Sequence, residues 1–593
     1  MEVSRIIDIL PHIKDTYSRP DVLSYKAGGT WHSYNIDDFI EMAGNISYGL
    51  MADGILPGDK VAIISANCPE WNFADFGIAN IGAVSVPIYP TLGASDTAFI
   101  LNDAEVKIVF VETEELWQKI ESIKSQTPSV RSVFTFKEIK GRPFFKELAE
   151  LGKNNPNPAL LDNYKRAVKA DDLLTLIYTS GTTGTPKGVM LTHDNMISNV
   201  IAAREVCPVR SEHTALSFLP LCHIFERMLT YLYMYVGAGI YYAESMDTIG
   251  ENLKEVKPFA FSTVPRLLEK VYDKIVAKGY ELTGIKRKLF FWALDLGHRY
   301  ELDGANGAWY EFQLSIANKL IFSKWREALG GNVGVIVSGA AALQPRLARV
   351  FTSAMIPVLE GYGLTETSPV ITVNRLEPGK RAFGSVGPPI RDVEVKIAED
   401  GEVLCKGPNV MKGYYKRQDL TDEVIINGWF HTGDIGKMEH GLLSITDRKK
   451  EIFKTSGGKY IAPQVMENKF KESVFIEQIM VIGEGRKHPS ALIVPAYTAI
   501  AAWAENHGIS DKSNLSLSIN PQVIQLVQGE VDKYNETFSN YERIKRFALL
   551  STEWSIATNE LTPKLSLKRR VIMEKFSSEI DRIYKEENTQ ERR

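Results

Sequence analysis

The feature that most constrains the fold is a series of short, continuous apolar runs separated by helix-length segments. They are "KVAIISAN" (60–67), "VSVPIYP" (84–90), "VKIVFVE" (106–112), "LLTLIYTS" (173–180), "FAFSTVP" (259–265) and "VGVIVSGAA" (333–341). A strand with one face in water alternates apolar and polar residues. Runs rich in Val and Ile at consecutive positions fit strands covered on both faces, as in parallel sheets flanked by helices. The expected class is α/β. A chain of 593 residues exceeds what one hydrophobic core usually supports, so two or more packed units are expected.

The character of the chain changes twice. From about 266 to 330 a long helical pattern runs through "RLLEKVYDKIVAKG" and "IKRKLFFWALDLGHRYEL". From about 384 to 446, "VEVKIAEDGEVLCKGPNVMKGYY" and "GWFHTGDIGKMEHGLLSITDRKK" alternate strand patterns with Gly-centred turns. We therefore expect an N-terminal domain over 1–446 with a β-rich subdomain at about 384–446. A hinge is expected at 447–451, followed by a small mobile α+β domain over 452–593.

Composition narrows the function. The net charge of −4 and pI near 6.3 give no general basic excess, which argues against a nucleic-acid partner. Cys68, Cys207, Cys222 and Cys405 are scattered, without zinc or disulfide spacing, as expected in a reducing cytosol. The N-terminal "MEVSRIIDILPHIKD" lacks the unbroken apolar core of a secretory signal. The longest uncharged apolar stretch, 228–243, is shorter than the roughly 18–20 residues that span a bilayer, and reads as a buried helix and strand around "GAG". Peripheral contact with a membrane, at its inner face, stays open. The segment 266–330, with Lys on one side and Phe/Trp on the other, either carries an amphipathic face for lipid or packs as core.

The stretch "YTSGTTGTPKG" (178–188) joins two apolar strand patterns through Gly181 and Gly184, the hydroxyls of Thr179, Ser180, Thr182, Thr183 and Thr185, and Lys187. It is not the common nucleotide P-loop, because no Ser or Thr follows the lysine and a second strand, "VMLT", comes before the helix. Its chemistry is still that of phosphate binding: glycines admit backbone N–H groups, hydroxyls add donors and lysine adds a point charge. The helix "HDNMISNVIAAREV" after it is expected to be capped by Thr192 or Asp194. "SGAAAL" follows the strand pattern "VGVIV", which places small Gly339 and Ala340 at a strand's carboxyl end, where open α/β sheets bind ligands.

"YTSGTTGTPKG", "GYGLTETSP" (361–369), "WFHTGD" (429–434), "DRKKEIFKTSGGKYIAP" (447–463) and "LTPKLSLKRR" (561–570) together resemble the adenylate-forming superfamily. That superfamily comprises acyl-CoA synthetases, luciferases and peptide-synthetase adenylation domains. The motifs stand in the superfamily's order and span most of the chain. "SFLPLCHIFERM" (217–228), "VPRLLEKVYDKI" (264–275) and the helical insert resemble its long-chain fatty-acyl-CoA synthetase branch. The resemblance implies that a fatty carboxylate attacks the α-phosphorus of ATP to give acyl-adenylate and pyrophosphate, after which the thiol of coenzyme A takes the acyl group.

Site roles follow from the same resemblance. The 179–188 loop holds the leaving phosphates. Glu360, Gly361, Tyr362 and Gly363 adjoin the nucleotide, with Tyr362 packing on adenine. Thr365 contacts the α-phosphate, and Glu366 is the Mg²⁺ ligand. Asp434 and Arg448 meet the ribose, and His223 lies near the acyl carbonyl. Lys450 is the hinge, and Gly458 lets the pantetheine chain pass close to the backbone. Lys568 reaches the α-phosphate, with Lys564 a competing assignment because "PKLSLK" departs from the commoner spacing. Two other readings stay open: an adenylating enzyme for a different carboxylate or acceptor, and a nonenzymatic lipid or nucleotide sensor.

Overall fold

The structure, a computed structural model, describes residues 3–180, 186–562 and 566–590, without the side chains of 180 and 586–590. Each of the six apolar runs contains a strand. They are Lys60–Ile64, Val84–Pro87, Val106–Val111, Leu173–Ser180, Ala260–Thr263 and Val335–Ser338. The first four belong to one seven-stranded sheet and the last two to a second sheet of eight strands.

In the first sheet Lys60–Ile64 lies centrally, parallel to both Val84–Pro87 and Val106–Val111. Both of its faces are covered. Val61 and Ile63 point into the main core, while Ala62 and Ile64 point into a second core with Leu116, Trp117 and Ile120. This double coverage is why the strand reads as a continuous apolar run. The antiparallel hairpin Leu173–Ser180 with Pro186–Thr192 extends the sheet, and its register sets Thr179 opposite Lys187. Thr192 Oγ1 then accepts from Asn195 N at 3.1 Å and caps the helix His193–Val206, one of the two expected caps.

The helices Pro69–Asn80 and Ile224–Tyr235 lie in the main core and are buried along nearly their whole length. Charged side chains on helices buried on every side have no water to reach and must be paired inside. Arg227 and Asp75, both fully buried, tie the two together with an ion pair of 2.5 Å. Thr175, Ser85 and Tyr231 complete the network around the guanidinium. The 228–243 stretch is the expected buried helix and strand, since Gly239–Tyr242 is a strand of the second sheet.

The insert is helical, as expected: Pro265–Glu281, Gly284–Arg299 and Ala308–Ala317, the last running through a π-turn at Asn318–Phe322 into Ser323–Ala328. Beyond it, Glu394–Ile397, Glu402–Lys406, Ile425–Ile426, Trp429–Glu439 and Leu442–Arg448 form a five-stranded sheet. Gly413–Tyr414 lies within the same stretch of sequence yet pairs with Pro186–Thr192 of the first sheet. After Arg448 the chain turns through 449–451. It then builds a separate core on a three-stranded sheet of Ile476–Ile482, Ser490–Pro495 and Phe547–Leu549.

Candidate active site

A cavity of about 1930 Å³ opens where the carboxyl ends of the second sheet's parallel strands meet the C-terminal unit. Its wall gathers residues far apart in sequence: Thr179 and Lys187, His223, Gly339 and Ala340, Gly361 to Glu366, Arg448 and Lys450, and Lys568. Gly181, Thr182, Thr183, Gly184 and Thr185, like Lys564, lie outside the described residues. Ser180 is placed by its backbone alone, opposite Pro186.

The hairpin fixes the phosphate-loop ends. Thr179 and Lys187 are cross-strand partners, so their side chains share one face of the sheet. Gly188 sits tightly against its neighbour: a Cβ there would come within 3.1 Å of the Tyr178 ring. Lys187 Nζ sits 4.9 Å above the ring of Tyr414, whose hydroxyl donates to Glu366 Oε1 at 2.9 Å. Tyr414 thus joins the loop lysine to the acid of "LTE", and burial pushes its own hydroxyl's pKa well up. Sequence reasoning missed it. The available signal was the doubled tyrosine of "KGYYK" beside a short strand, but nothing local shows that this strand pairs with the loop hairpin.

"HTGD" lies inside the strand Trp429–Glu439, where the register against Glu402–Lys406 shifts and Gly433 takes φ +73°; this irregularity and the end of the last strand of the β-rich sheet place a second polar group. Asp434 is 4% exposed and accepts from Tyr362 Oη at 2.7 Å and Arg448 Nε at 3.1 Å. Asp434 and Arg448 are cross-strand neighbours, which holds the pair in register. Burial pushes the Asp434 carboxyl up, and the Arg448 guanidinium opposes that shift. Asp434 therefore lies just behind the wall formed by Tyr362 and Arg448. Glu402 braces the same irregular stretch of strand, accepting from Gly433 N and Lys449 Nζ, each at 2.9 Å.

Gly339 and Ala340 end their strand at the cavity, as expected. A Cβ on Gly339 would press on Phe225 at 3.1 Å, and Ala340 holds φ +68°. His223 caps the helix Ile224–Tyr235 by accepting from Phe225 N at 3.2 Å. Lys568 donates from Nζ to Asn559 Oδ1 at 2.5 Å and precedes the helix Arg569–Lys575.

Three positions on or near the wall are set by constraints of the fold. Glu360 lies beside Gly361 on the strand Val358–Gly363, and side chains alternate across a strand. Its carboxyl therefore points away from the cavity, toward Asn374, Arg381 and Phe383, where burial pushes its pKa up to about 8. Gly363 lines the cavity, yet its need for glycine comes from behind, where a Cβ would overlap the Pro369 carbonyl. Gly458 is not among the wall residues described: it occupies a turn at φ +78°, where a Cβ would meet only Lys454 Cε at 3.7 Å. The positive φ favours glycine there in this orientation.

One arm of the cavity is apolar. On the strand Val335–Ser338, Val335 and Val337 face it below Gly339; on Val358–Gly363, Leu359 faces it below Gly361. Along the helix, Phe225, Met228, Leu229 and Leu232 follow His223, while Val206, Cys207 and Pro208 line it from the end of the preceding helix. Ideal strand and helix geometry give its length twice over. Four residues of strand from Gly339 to Val335 span about 13 Å, and nine residues of helix from His223 to Leu232 also span about 13 Å.

These features define an AMP-binding enzyme. The profile of that family matches residues 14–415, and that of the AMP-binding enzyme C-terminal domain matches 450–588, so the chain belongs to this family. It is 33% identical over 578 residues to a long-chain-fatty-acid–CoA ligase, FadD15, of Mycobacterium bovis, covering 96% of this chain and 95% of that one. It is 31% identical over 606 residues to long chain acyl-CoA synthetase 3 of Arabidopsis thaliana, covering 96% and 89%. Among solved structures it resembles the adenylation domain of a carboxylate reductase from Mycobacterium chelonae, with TM-score 0.77, 21% identity and coverage of 98% and 91%. It also resembles the anthranilate CoA ligase AuaEII in complex with anthranoyl-AMP, with TM-score 0.71, 18% identity and coverage of 96% of each chain. The two structures share the fold.

Proposed function

We propose that this chain is a long-chain-fatty-acid–CoA ligase that uses ATP to activate a fatty acid as acyl-adenylate and passes the acyl group to coenzyme A. The observation that carries the reading is one cavity with a polar mouth and an apolar arm about 13 Å deep. Phosphate-binding and ribose-binding groups line the mouth, and only aliphatic, aromatic and small side chains line the arm. A short acid would leave most of that arm unfilled. The curated relatives support the same substrate class.

The carboxylate nucleophile is already ionised at neutral pH, so activation needs no general base. It needs alignment and compensation of charge. Lys187 and the hydroxyls near it receive the β- and γ-phosphates. Thr365, which is buried, and Lys568 from the other domain face the α-phosphate region. Asp434, through the carboxylate that Tyr362 and Arg448 now occupy, accepts from the ribose hydroxyls, and the Tyr362 ring offers a flat face to adenine. His223 stands where the arm begins and orients the acyl carboxyl group.

Glu366 is a single hard-oxygen ligand at the phosphate end, and no cluster of three or more His, Cys, Asp or Glu is present among the described residues. That donor set suits Mg²⁺, which is commonly held by one or two carboxylates together with substrate phosphates. When bound there the ion neutralises phosphate charge. Tyr414 fixes the Glu366 carboxylate for that task.

The second half-reaction needs a different face of the small domain, since Lys568 is at the cavity and Gly458 is not. A hinge at Lys450, in the turn after Arg448, exchanges the two. The test is AMP release dependent on both ATP and coenzyme A, compared across acetate, decanoate, palmitate and benzoate. We expect palmitate to be favoured over acetate by orders of magnitude. Preference for benzoate would place the chain among aryl-acid ligases, and ligand binding without AMP release would make it a sensor.

A further inference from the structure

We propose that the helical insert carries a docking face for an anionic phospholipid bilayer, formed by Trp309, Phe312, Ile316 and Leu320. These residues are 72%, 56%, 36% and 50% exposed. They recur every three or four residues along the helical run 308–328, so they form one stripe. The opposite stripe, Tyr310, Leu314, Ala317 and Phe322, is buried, and Tyr310 Oη donates to Leu296 O at 2.6 Å. The run is therefore anchored by one apolar face and presents a second one outward. Trp309 and Phe312 stack with centroids 5.7 Å apart, which joins two large exposed rings into one patch.

Charge selects the occupant. Lys319 and Lys324 flank the stripe and are exposed. The neighbouring helix Gly284–Arg299 runs antiparallel, with Leu296 against Tyr310 and Phe290 against Trp325 at 6.5 Å. Its exposed first turns, Lys286, Arg287 and Lys288, thus lie at the Lys324 end, next to exposed Tyr280 and Ile285. Six exposed cations, Lys286, Arg287, Lys288, Arg299, Lys319 and Lys324, stand on these two segments against the exposed acids Asp295 and Glu327; Arg299 pairs with Asp295 at 2.6 Å and Lys324 with Glu327 at 2.8 Å, which leaves the basic excess at the Lys324 end. Aromatic and aliphatic residues on one face with Lys and Arg beside them is the composition of a helix that lies in the plane of a lipid interface.

A second copy of this chain fits less well. The exposed parts of the four side chains sum to roughly 400–500 Å², short of the ~800 Å² per partner of a standard interface. A twofold contact would also set the same basic flanks against each other. The helix Pro265–Glu281 links this face to the cavity: its first turn lines the cavity and its last turn carries Tyr280, about 24 Å away. Docking there would keep the acyl arm near a membrane, where long-chain acids partition. The proposal does not depend on the ligase reading, because the test below scores binding separately from turnover.

The full chain should be sedimented with vesicles of phosphatidylcholine alone and of phosphatidylcholine with phosphatidylglycerol in equal parts, at low and high salt. We expect binding to the anionic vesicles that weakens with salt, and at least tenfold weaker binding for Trp309→Ser with Phe312→Ser. Lys319→Ser with Lys324→Ser should lose the preference for anionic over neutral vesicles. Both variants should keep the melting temperature of the parent and its turnover of a soluble acid such as decanoate. The proposal is overturned if the parent does not bind anionic vesicles, or if the aromatic variant binds as tightly as the parent. It is also overturned if sedimentation without lipid shows a dimer that Phe312→Ser dissociates.

Discussion

Shortening Leu232 tests the apolar arm as a ruler for the acyl chain. Leu232 is 1% exposed and lines the arm about 13 Å along the helix from His223. Leu232→Ala removes three side-chain carbons, a space of about three methylene groups. Without substrate the hole costs about 2–5 kcal/mol of stability. With substrate, a longer chain can refill it at about 0.8 kcal/mol per methylene, or about fourfold in kcat/KM for each added carbon. The chain-length optimum should therefore move up by about two carbons, with selectivity over the parent's best acid changing by about fifteenfold. The assay is kcat/KM for a series of saturated acids from decanoate to eicosanoate, with thermal melts to show that the variant folds. Leu232→Phe should move the optimum the other way. If a folded Leu232→Ala variant kept the parent's optimum, or lost activity equally for every acid, the arm would not be the acyl site.

Three further outcomes follow from other contacts. Asp75→Asn leaves the Arg227 guanidinium buried without its counter-charge and should cost about 3–5 kcal/mol in denaturant unfolding, whereas replacing both residues by apolar ones should cost less; a loss below about 1 kcal/mol for the single variant would contradict this. Glu360 has its pKa raised by burial to about 8, so between an unfolded value near 4.5 and about 8 the folded state binds more protons and stability falls as pH rises. Glu360→Gln should flatten that fall in melting temperatures recorded from pH 5 to 9, and an unchanged slope would show that this carboxyl does not contribute to it. Tyr414→Phe removes the hydrogen bond that orients Glu366, worth about 1 kcal/mol, and should raise the Mg²⁺ concentration for half-maximal AMP release about fivefold; an unshifted Mg²⁺ titration would separate Tyr414 from the metal site.

The architecture was legible where burial leaves a local trace. Val61, Ala62, Ile63 and Ile64 are all buried, so the strand announces itself in four letters, and Thr192 before a helix pattern announces a cap. The site was legible as motifs, because its parts sit at strand ends and turns with unusual small or hydroxyl residues. Facing was less so: the twofold alternation around Gly361 would have sent Glu360 to the opposite side, but the motif was read as a block. Pairings across long separations left no trace. Nothing near Asp75 points to Arg227, 152 residues on, and nothing in "KGYYK" points to the loop hairpin. Gly363 and Gly458 show a further limit, since the sequence displays a glycine without saying whether packing, backbone angle or a ligand demands it.

The most direct test of the central claim, that two chemistries share this cavity through a turning small domain, is to measure both half-reactions of Lys568→Ala. In the present orientation Lys568 lines the cavity and Gly458 does not. The variant should lose acyl-adenylate formation from ATP and palmitate by at least a hundredfold, the scale of removing one preorganised charge-stabilising donor. It should still convert supplied palmitoyl-adenylate and coenzyme A to the thioester at close to the parent's rate. Equal loss of both half-reactions would contradict the division of labour between orientations. Retention of both, with Lys564→Ala losing the first, would move the adenylation lysine four residues toward the N-terminus.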